Sequence, residues 1–240
     1  MPGIATTPRN WRRFIALGDS FSEGLMDVVG AQGRHVGWAD RTAAVLATRV
    51  DGFRYANLSI RGRTMPPVVA EQVPVAVAME PDLVSLAAGV NDTLRRSFDL
   101  HVAATAVENG VRALRHAGAD VVLWNFGDPS RKTRLMTVVA RRIDAYNRAT
   151  RAIAEVYGCY LVDLWGVAIL DDDRFWDTDR LHLSPPGHAI ASAAALQALG
   201  LGDDAWRTPP AITSRPRVHA RVRDDVVWAK DHLSPWVMRR

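Results

Sequence analysis

The sequence predicts an α/β protein in which a five-stranded parallel sheet lies between two layers of helices. Three observations carry this. Short, almost wholly apolar runs recur along the chain, as in strands covered on both faces. Helical periodicity fills the intervals between them, giving a β-α-β-α alternation. A chain of 240 residues with 48 % hydrophobic content is enough for one sizeable core, and nothing in it demands two.

The strands are expected at Phe14 to Leu17, Phe53 to Leu58, Leu83 to Ala87, Asp120 to Trp124 and Tyr160 to Leu164. Each is too short for a buried helix and rich in Val, Ile, Leu or aromatic residues. The helices are expected at Trp38 to Val50, Val68 to Met79, Leu100 to His116, Lys132 to Tyr157 and Pro186 to Leu199. "SPPGHAI" opens the last of them, with Ser184 as N-cap and Pro185 in the first turn. The stretch "FSEGLMDVVGAQGRHVG" after Ser20 reads as a Gly-containing loop, so the first helix is not expected to begin immediately past that serine. Composition shifts after Gly200, and residues 202–240 form a Pro- and Arg-rich extension. Its first half should run extended, and its second half spaces Val222, Val226, Val227, Leu233, Trp236 and Val237 at near i, i+4 intervals, which suggests a short amphipathic helix from about Asp224 to Leu233.

Composition narrows the partners. Thirty basic against 26 acidic residues leave a net charge of only +4, without the clustered basic face that nucleic-acid binding needs. The lone Cys159 forbids an internal disulfide and, in "CYLVDL", reads as a buried strand residue. "MPGIATTPRNWRR" has no apolar signal region and no stretch approaches a membrane span, so no membrane insertion and a cytoplasmic location are expected.

In an open parallel sheet, ligands bind beyond the carboxyl ends of the strands, so the residues that follow each strand are the place to look for chemistry. After the first strand comes Ser20, after the second "SIRG" with Gly62, after the third "GVND" with Asn91 and Asp92, and after the fifth "DTDRLHLS" with Asp179 and His182. These are the parts of acyl transfer to a hydroxyl. A serine needs a base to take its proton, and histidine is the usual one. The base needs a third group to fix its tautomer, and Asp179, three residues upstream, can fold back onto the far nitrogen of His182. The oxyanion needs fixed donors, for which the Ser20 N–H, the Gly62 N–H and the Asn91 amide are candidates.

"GDS" after the first strand, Gly62, "GVND" and "DRLH" resemble, in order and spacing, the four sequence blocks of the SGNH, or GDSL-type, hydrolase family. The resemblance spans about Arg12 to Gly200 and makes residues 1–201 the hydrolase domain. It implies a three-layer flavodoxin-like fold and a Ser-His-Asp mechanism without metal or cofactor. It also implies a small-molecule acyl ester or thioester substrate. Ser20 would be the nucleophile, Asp179 and His182 the other triad members, and Ser20, Gly62 and Asn91 the oxyanion hole. Phe21 stands where many members have Leu, which should alter pocket shape and leave the chemistry unchanged.

Other readings are set beside this one. Ser22 would point to the other side of an extended chain and serve as a cap. Asp19 would hold its loop by accepting backbone N–H bonds, and Asp92 would cap the segment that follows it. His188 falls inside the last helix, where packing is its expected role. The acidic run Asp171, Asp172, Asp173, Asp177 and Asp179, with His182 and His188, matches no zinc spacing and reads as a solvated loop. A flavodoxin-like binding module without turnover is the alternative to an enzyme, although "GDSFSEG" lacks the Lys and glycine spacing of a phosphate loop. The absence of Gly-x-Ser-x-Gly argues against the ordinary α/β-hydrolase superfamily.

Overall fold

The computed structural model describes residues 9–31, 33–131 and 136–208. Five strands form one parallel sheet: β1 (Arg13–Gly18), β2 (Arg54–Asn57), β3 (Leu83–Ala87), β4 (Asp120–Asn125) and β5 (Tyr160–Asp163). Their order is β2-β1-β3-β4-β5. β3 and β4 are buried along their whole length, whereas β2, at one edge, is only partly covered. That difference explains why the inner strands read as continuous apolar runs.

The chain turns back on itself between β1 and β3, where the order of strands reverses, and such a switch point opens a crevice at the carboxyl edge. The register pairs Gly18 with Ala87. β1 and β3 therefore end level, and the residues after them, Asp19-Ser20 and Gly89-Val90-Asn91, emerge side by side.

The helices are α1 (Ser20–Glu23), α2 (Gly37–Ala47), α3 (Met65–Pro67), α4 (Val73–Ala78), α5 (Val90–Leu94), α6 (Leu100–His116), α7 (Thr137–Tyr157) and α8 (Pro185–Ala198). α2 packs on α8 on one face, with the Thr42 and Ser192 hydroxyls 3.0 Å apart between them. α6 packs on α7 and against α3 and α4 on the other. α6 forms where its sequence demands it. Asp99 caps it by accepting from His101 N at 2.8 Å and Val102 N at 3.2 Å, and Ala103, Val107, Val111 and Leu114 recur on one buried face.

Three elements depart from the expected pattern. A one-turn helix, α1, starts at Ser20 where a loop was expected, because Asp19 acts as its N-cap, accepting from Phe21 N at 3.0 Å, and Gly24 closes it with φ 84°. The helical stretch expected from Val68 begins at Met65 behind Thr64, with Pro66 in its first turn. It then passes through a π-helical turn, Val68–Gln72. That turn brings the Gln72 amide to the end of β1, where it donates to Gly18 O at 2.9 Å and accepts from Gly18 N at 2.8 Å. α5 was not anticipated. α7 runs from Thr137, and residues 132–135 of the expected span lie outside the described residues. Cys159 precedes β5, is only half-buried, and has its thiol pushed up to about 11 by burial.

The start of the C-terminal extension folds back on the domain. Trp206 is buried in the core and donates from its indole N–H to Gln197 Oε1 at 2.8 Å. The helix expected from Asp224 to Leu233 lies outside the described residues. Among the described residues no helix is long and apolar enough to cross a membrane.

Candidate active site

Ser20 is the first residue of α1, so its N–H is one of the donors that a helix leaves unpaired at its start. His182 reaches it from a tight hairpin. Trp176 and Leu183 bridge antiparallel, Asp177 N donates to His182 O at 2.9 Å, and Asp179 sits at the tip. Asp179 Oδ1 accepts from Leu181 N and His182 N, both at 2.9 Å, while Oδ2 lies 2.6 Å from His182 Nδ1. His182 Nε2 lies 2.9 Å from Ser20 Oγ.

These contacts determine the proton positions. A carboxylate can only accept, so the ring proton sits on Nδ1 and the Nε2 lone pair faces the serine hydroxyl. Burial alone would raise the Asp179 carboxyl, but the hydrogen bonds from the His182 ring, His182 N and Leu181 N outweigh it and hold it below the usual carboxylate range. Asp179 is thus charged throughout the neutral range. Ser184, directly after the hairpin, caps α8 and donates to Arg174 O at 2.7 Å, which fixes the hairpin to the helix start.

Asn91 stands at the start of α5, beside α1. Its amide nitrogen is 2.9 Å from Asp19 Oδ2 and 3.0 Å from Arg63 O, so both protons are engaged in this state. Gly62 is exposed on the loop after β2 with φ 76°, and a Cβ there would meet nothing within 4 Å. Its glycine is thus explained by backbone conformation, and clearance within the protein is not the reason. Among the described residues neither Ser20 N nor Gly62 N donates a hydrogen bond to the protein.

The neighbours read from sequence have more specific roles. Ser22 is buried inside α1 and faces Gly18, so it is neither on an extended segment nor a cap. Asp19 accepts the cap bond and the Asn91 amide, and burial pushes its carboxyl up to about 7. Asp92 does not cap its own segment but reaches back to α3, accepting from Met65 N at 2.9 Å. His188 is fully buried and donates from Nε2 to Leu25 O at 3.0 Å, pinning the loop after α1. Asp171 pairs with Arg131 and Asp172 with Arg174. Among the described residues no three His, Cys, Asp or Glu side chains gather around a common point.

Sequence reasoning missed Gln72 at the end of β1 and Glu23 at the end of α1. A signal existed for the first, a lone amide in the apolar run "VVAEQVPVAVAM". None existed for Glu23, whose partner Arg61 is 38 positions away.

Asp92 offers a test of this packing. Burial raises its carboxyl to about 6, against roughly 4 in an unfolded chain. Between those values the folded state keeps a proton that the unfolded state has lost, so its stabilising contribution is lost as pH rises through about 6. Asp92→Asn keeps an oxygen for Met65 N and does not titrate. The melting temperature of Asp92→Asn relative to the parent should therefore climb from pH 4 to 7 and then level off; a constant difference would contradict the burial.

Phe21, directly after Ser20, packs into a cluster of aromatic rings. Phe21 lies 5.6 Å from Trp38, 5.0 Å from Trp124 and 5.6 Å from Phe126, centroid to centroid, and Trp38 and Trp124 are 4.3 Å apart. A cavity of about 610 Å³ lies elsewhere, between α6 and the end of α7, lined by Arg112, His116 and Tyr157 among others. A smaller one of about 240 Å³ lies along β1 and β2.

The parallel sheet thus carries a serine, a histidine and a carboxylate in hydrogen-bonded sequence at its carboxyl edge. The chain matches the GDSL-like lipase/acylhydrolase family over residues 16–190, and it belongs to that family as an SGNH-type esterase or acyl hydrolase. It is similar to an acetylxylan esterase of Geobacillus stearothermophilus, 28 % identical over 172 residues that cover 62 % of this chain and 73 % of the relative. Among solved structures it resembles LAE5, an alpha/beta hydrolase enzyme from the metagenome of Lake Arreo, Spain. That match has a TM-score of 0.69 and 21 % identity, covering 84 % of this chain and 100 % of the other. The acetylxylan esterase Axe2 of Geobacillus stearothermophilus aligns with a TM-score of 0.66 at 21 % identity, covering 80 % of this chain and 97 % of the other. These likenesses agree with the three-layer fold, the five parallel strands having helices on both sides.

Proposed function

We propose that this ester hydrolase cleaves small O-acyl esters, acetyl esters foremost, with Ser20 as nucleophile, His182 as general base and acid, and Asp179 as the group that orients the imidazole. The observation that carries the reading is the unbroken relay from Asp179 Oδ2 through the His182 ring to Ser20 Oγ, at 2.6 Å and 2.9 Å. Ser20 Oγ attacks the ester carbonyl as its proton passes to Nε2. The charge of the imidazolium is balanced by Asp179, which keeps the Nδ1 proton. The carbonyl oxygen, now negative, is received by the Ser20 and Gly62 N–H groups, and Asn91 shares with it the proton it otherwise gives Arg63 O. Collapse expels the alcohol, which takes the proton from Nε2. Water then gives a proton to the same nitrogen as its oxygen attacks the acyl carbon; the bond to Ser20 Oγ breaks, Oγ takes the proton back from Nε2, and the acid leaves.

Two features favour a short acyl group. Phe21, the residue after the nucleophile, is packed among the Trp38, Trp124 and Phe126 rings, bulk that would leave little space for a long chain beside Ser20, and the similar proteins include enzymes named acetylxylan esterases. Across p-nitrophenyl esters from acetate to dodecanoate, kcat/KM should peak at two to four carbons and fall by about tenfold or more at eight, at roughly 1.4 kcal/mol per decade. Acetylated sugars measured alongside define the alcohol half. A maximum at eight carbons or beyond would overturn the short-acyl reading, and no hydrolysis of any ester would overturn the hydrolase itself.

A further inference from the structure

The N–H of Gly62 has no side chain of its own to hold it, but both of its flanks are held. On one side the Arg63 carbonyl accepts from Asn91 Nδ2. On the other, the Glu23 carboxylate accepts from Arg61 N at 2.9 Å and from Arg61 Nε at 3.0 Å to each oxygen. Asn57 Nδ2 donates to Ser22 O at 2.7 Å, which ties α1 to the end of β2 a few residues before this loop. Ser20 and Glu23 are the first and last residues of the same one-turn helix. The helix that carries the serine thus grips the loop that carries Gly62, through a peptide N–H adjacent to that glycine.

We propose that Glu23 is a positioning residue for catalysis: by holding Arg61 N it sets the Gly62 N–H at a fixed place relative to Ser20, so that both can receive the same oxyanion. The inference rests on the reading of Gly62 N–H as an oxyanion donor. An ordinary exposed ion pair would contribute little, because water screens it, and Arg61 keeps 56 % of its side chain in solvent. What distinguishes Glu23 is that it also accepts from the backbone N–H next to Gly62, which the other tie of the helix, from Asn57 to Ser22 O, does not reach.

The test compares Glu23→Ala and Glu23→Gln in the full chain, using an acetate ester and its thionoester, whose sulfur accepts hydrogen bonds poorly. Glu23→Ala should lose about 10- to 100-fold in kcat with KM changed by less than about threefold, the loss expected when a reacting geometry loosens without loss of binding. Glu23→Gln retains an acceptor for Arg61 N and should stay within about threefold of the parent. The parent's preference for the oxygen ester should shrink by about tenfold in Glu23→Ala, because a displaced donor stabilises the oxyanion less. Melting temperatures confirm that each variant is folded. An undiminished preference in Glu23→Ala, a Glu23→Gln as impaired as Glu23→Ala, or a loss confined to KM would overturn the proposal. A parent with no preference for oxygen over sulfur would instead overturn the oxyanion-hole reading beneath it.

Discussion

Ser20→Ala is expected to lower kcat on p-nitrophenyl acetate by about 10⁴- to 10⁶-fold, His182→Ala by a similar factor, and the double variant scarcely further. The reason lies in the single hydrogen bond between them. Nε2 lies 2.9 Å from Oγ; if, as proposed, it takes the serine proton as Oγ attacks, either half is inert without the other, and losses that share one cause do not add. KM should move much less, since neither side chain buries the rest of the substrate. Both positions are partly exposed and at the end of the sheet, so the variants should melt close to the parent. Near-additive losses would mean that the two residues act in different steps, and full activity in Ser20→Ala would exclude it as the nucleophile.

Gly18→Ala is expected to unfold the protein. Gly18 closes β1 with φ 151°, and a Cβ there would stand 2.0 Å from Ala87 O and 2.9 Å from Ser22 Oγ. The first contact is with the backbone of β3, which cannot rotate away as a side chain can. Relief requires that β1 and β3 part at the switch point, or that the paired Gln72 amide release Gly18 on the other side. The cost should exceed about 4 kcal/mol, in the range that severe steric clashes in a core reach, and is comparable to the total stability of many domains. Gly52→Ala supplies the control. That residue also has a positive φ, 71°, but nothing lies within 4 Å of its Cβ position, so only local strain of about 1 to 3 kcal/mol is expected. Denaturant midpoints of the two variants measure the difference. Equal midpoints would mean that the close approach of β1 to β3 is not what requires glycine.

α6 and β3 have the limits expected of them, Leu100–His116 and Leu83–Ala87. The first has a cap and a one-face apolar repeat, the second an unbroken apolar run, and both signals are local. The loops that carry Ser20, Gly62, Asn91, Asp179 and His182 were legible because a parallel sheet delivers every strand to the same edge. α1 was not legible, since four residues are too few for periodicity and its cap and stop are a single Asp and a single Gly. The burial of Ser22 follows from that missed turn. The bond from Asn91 to Arg63 O, the Gln72 clamp on Gly18 and the Glu23 grip on Arg61 join residues 28, 54 and 38 positions apart. Each depends on how loops meet in space, which no pattern along the chain encodes.

The most direct test of the account is to trap the nucleophile. A p-nitrophenyl alkylphosphonate reacts with an activated serine, losing p-nitrophenolate and leaving a stable phosphonyl ester where the acyl group would be. Mass spectrometry of the intact chain should show one adduct, and the modified peptide should place it on Ser20, within "FIALGDSFSEG". The adduct should form at a greatly reduced rate in His182→Ala and not at all in Ser20→Ala. An adduct on Ser22, or one that forms equally fast without His182, would contradict the assignment of Ser20 and His182 as nucleophile and base.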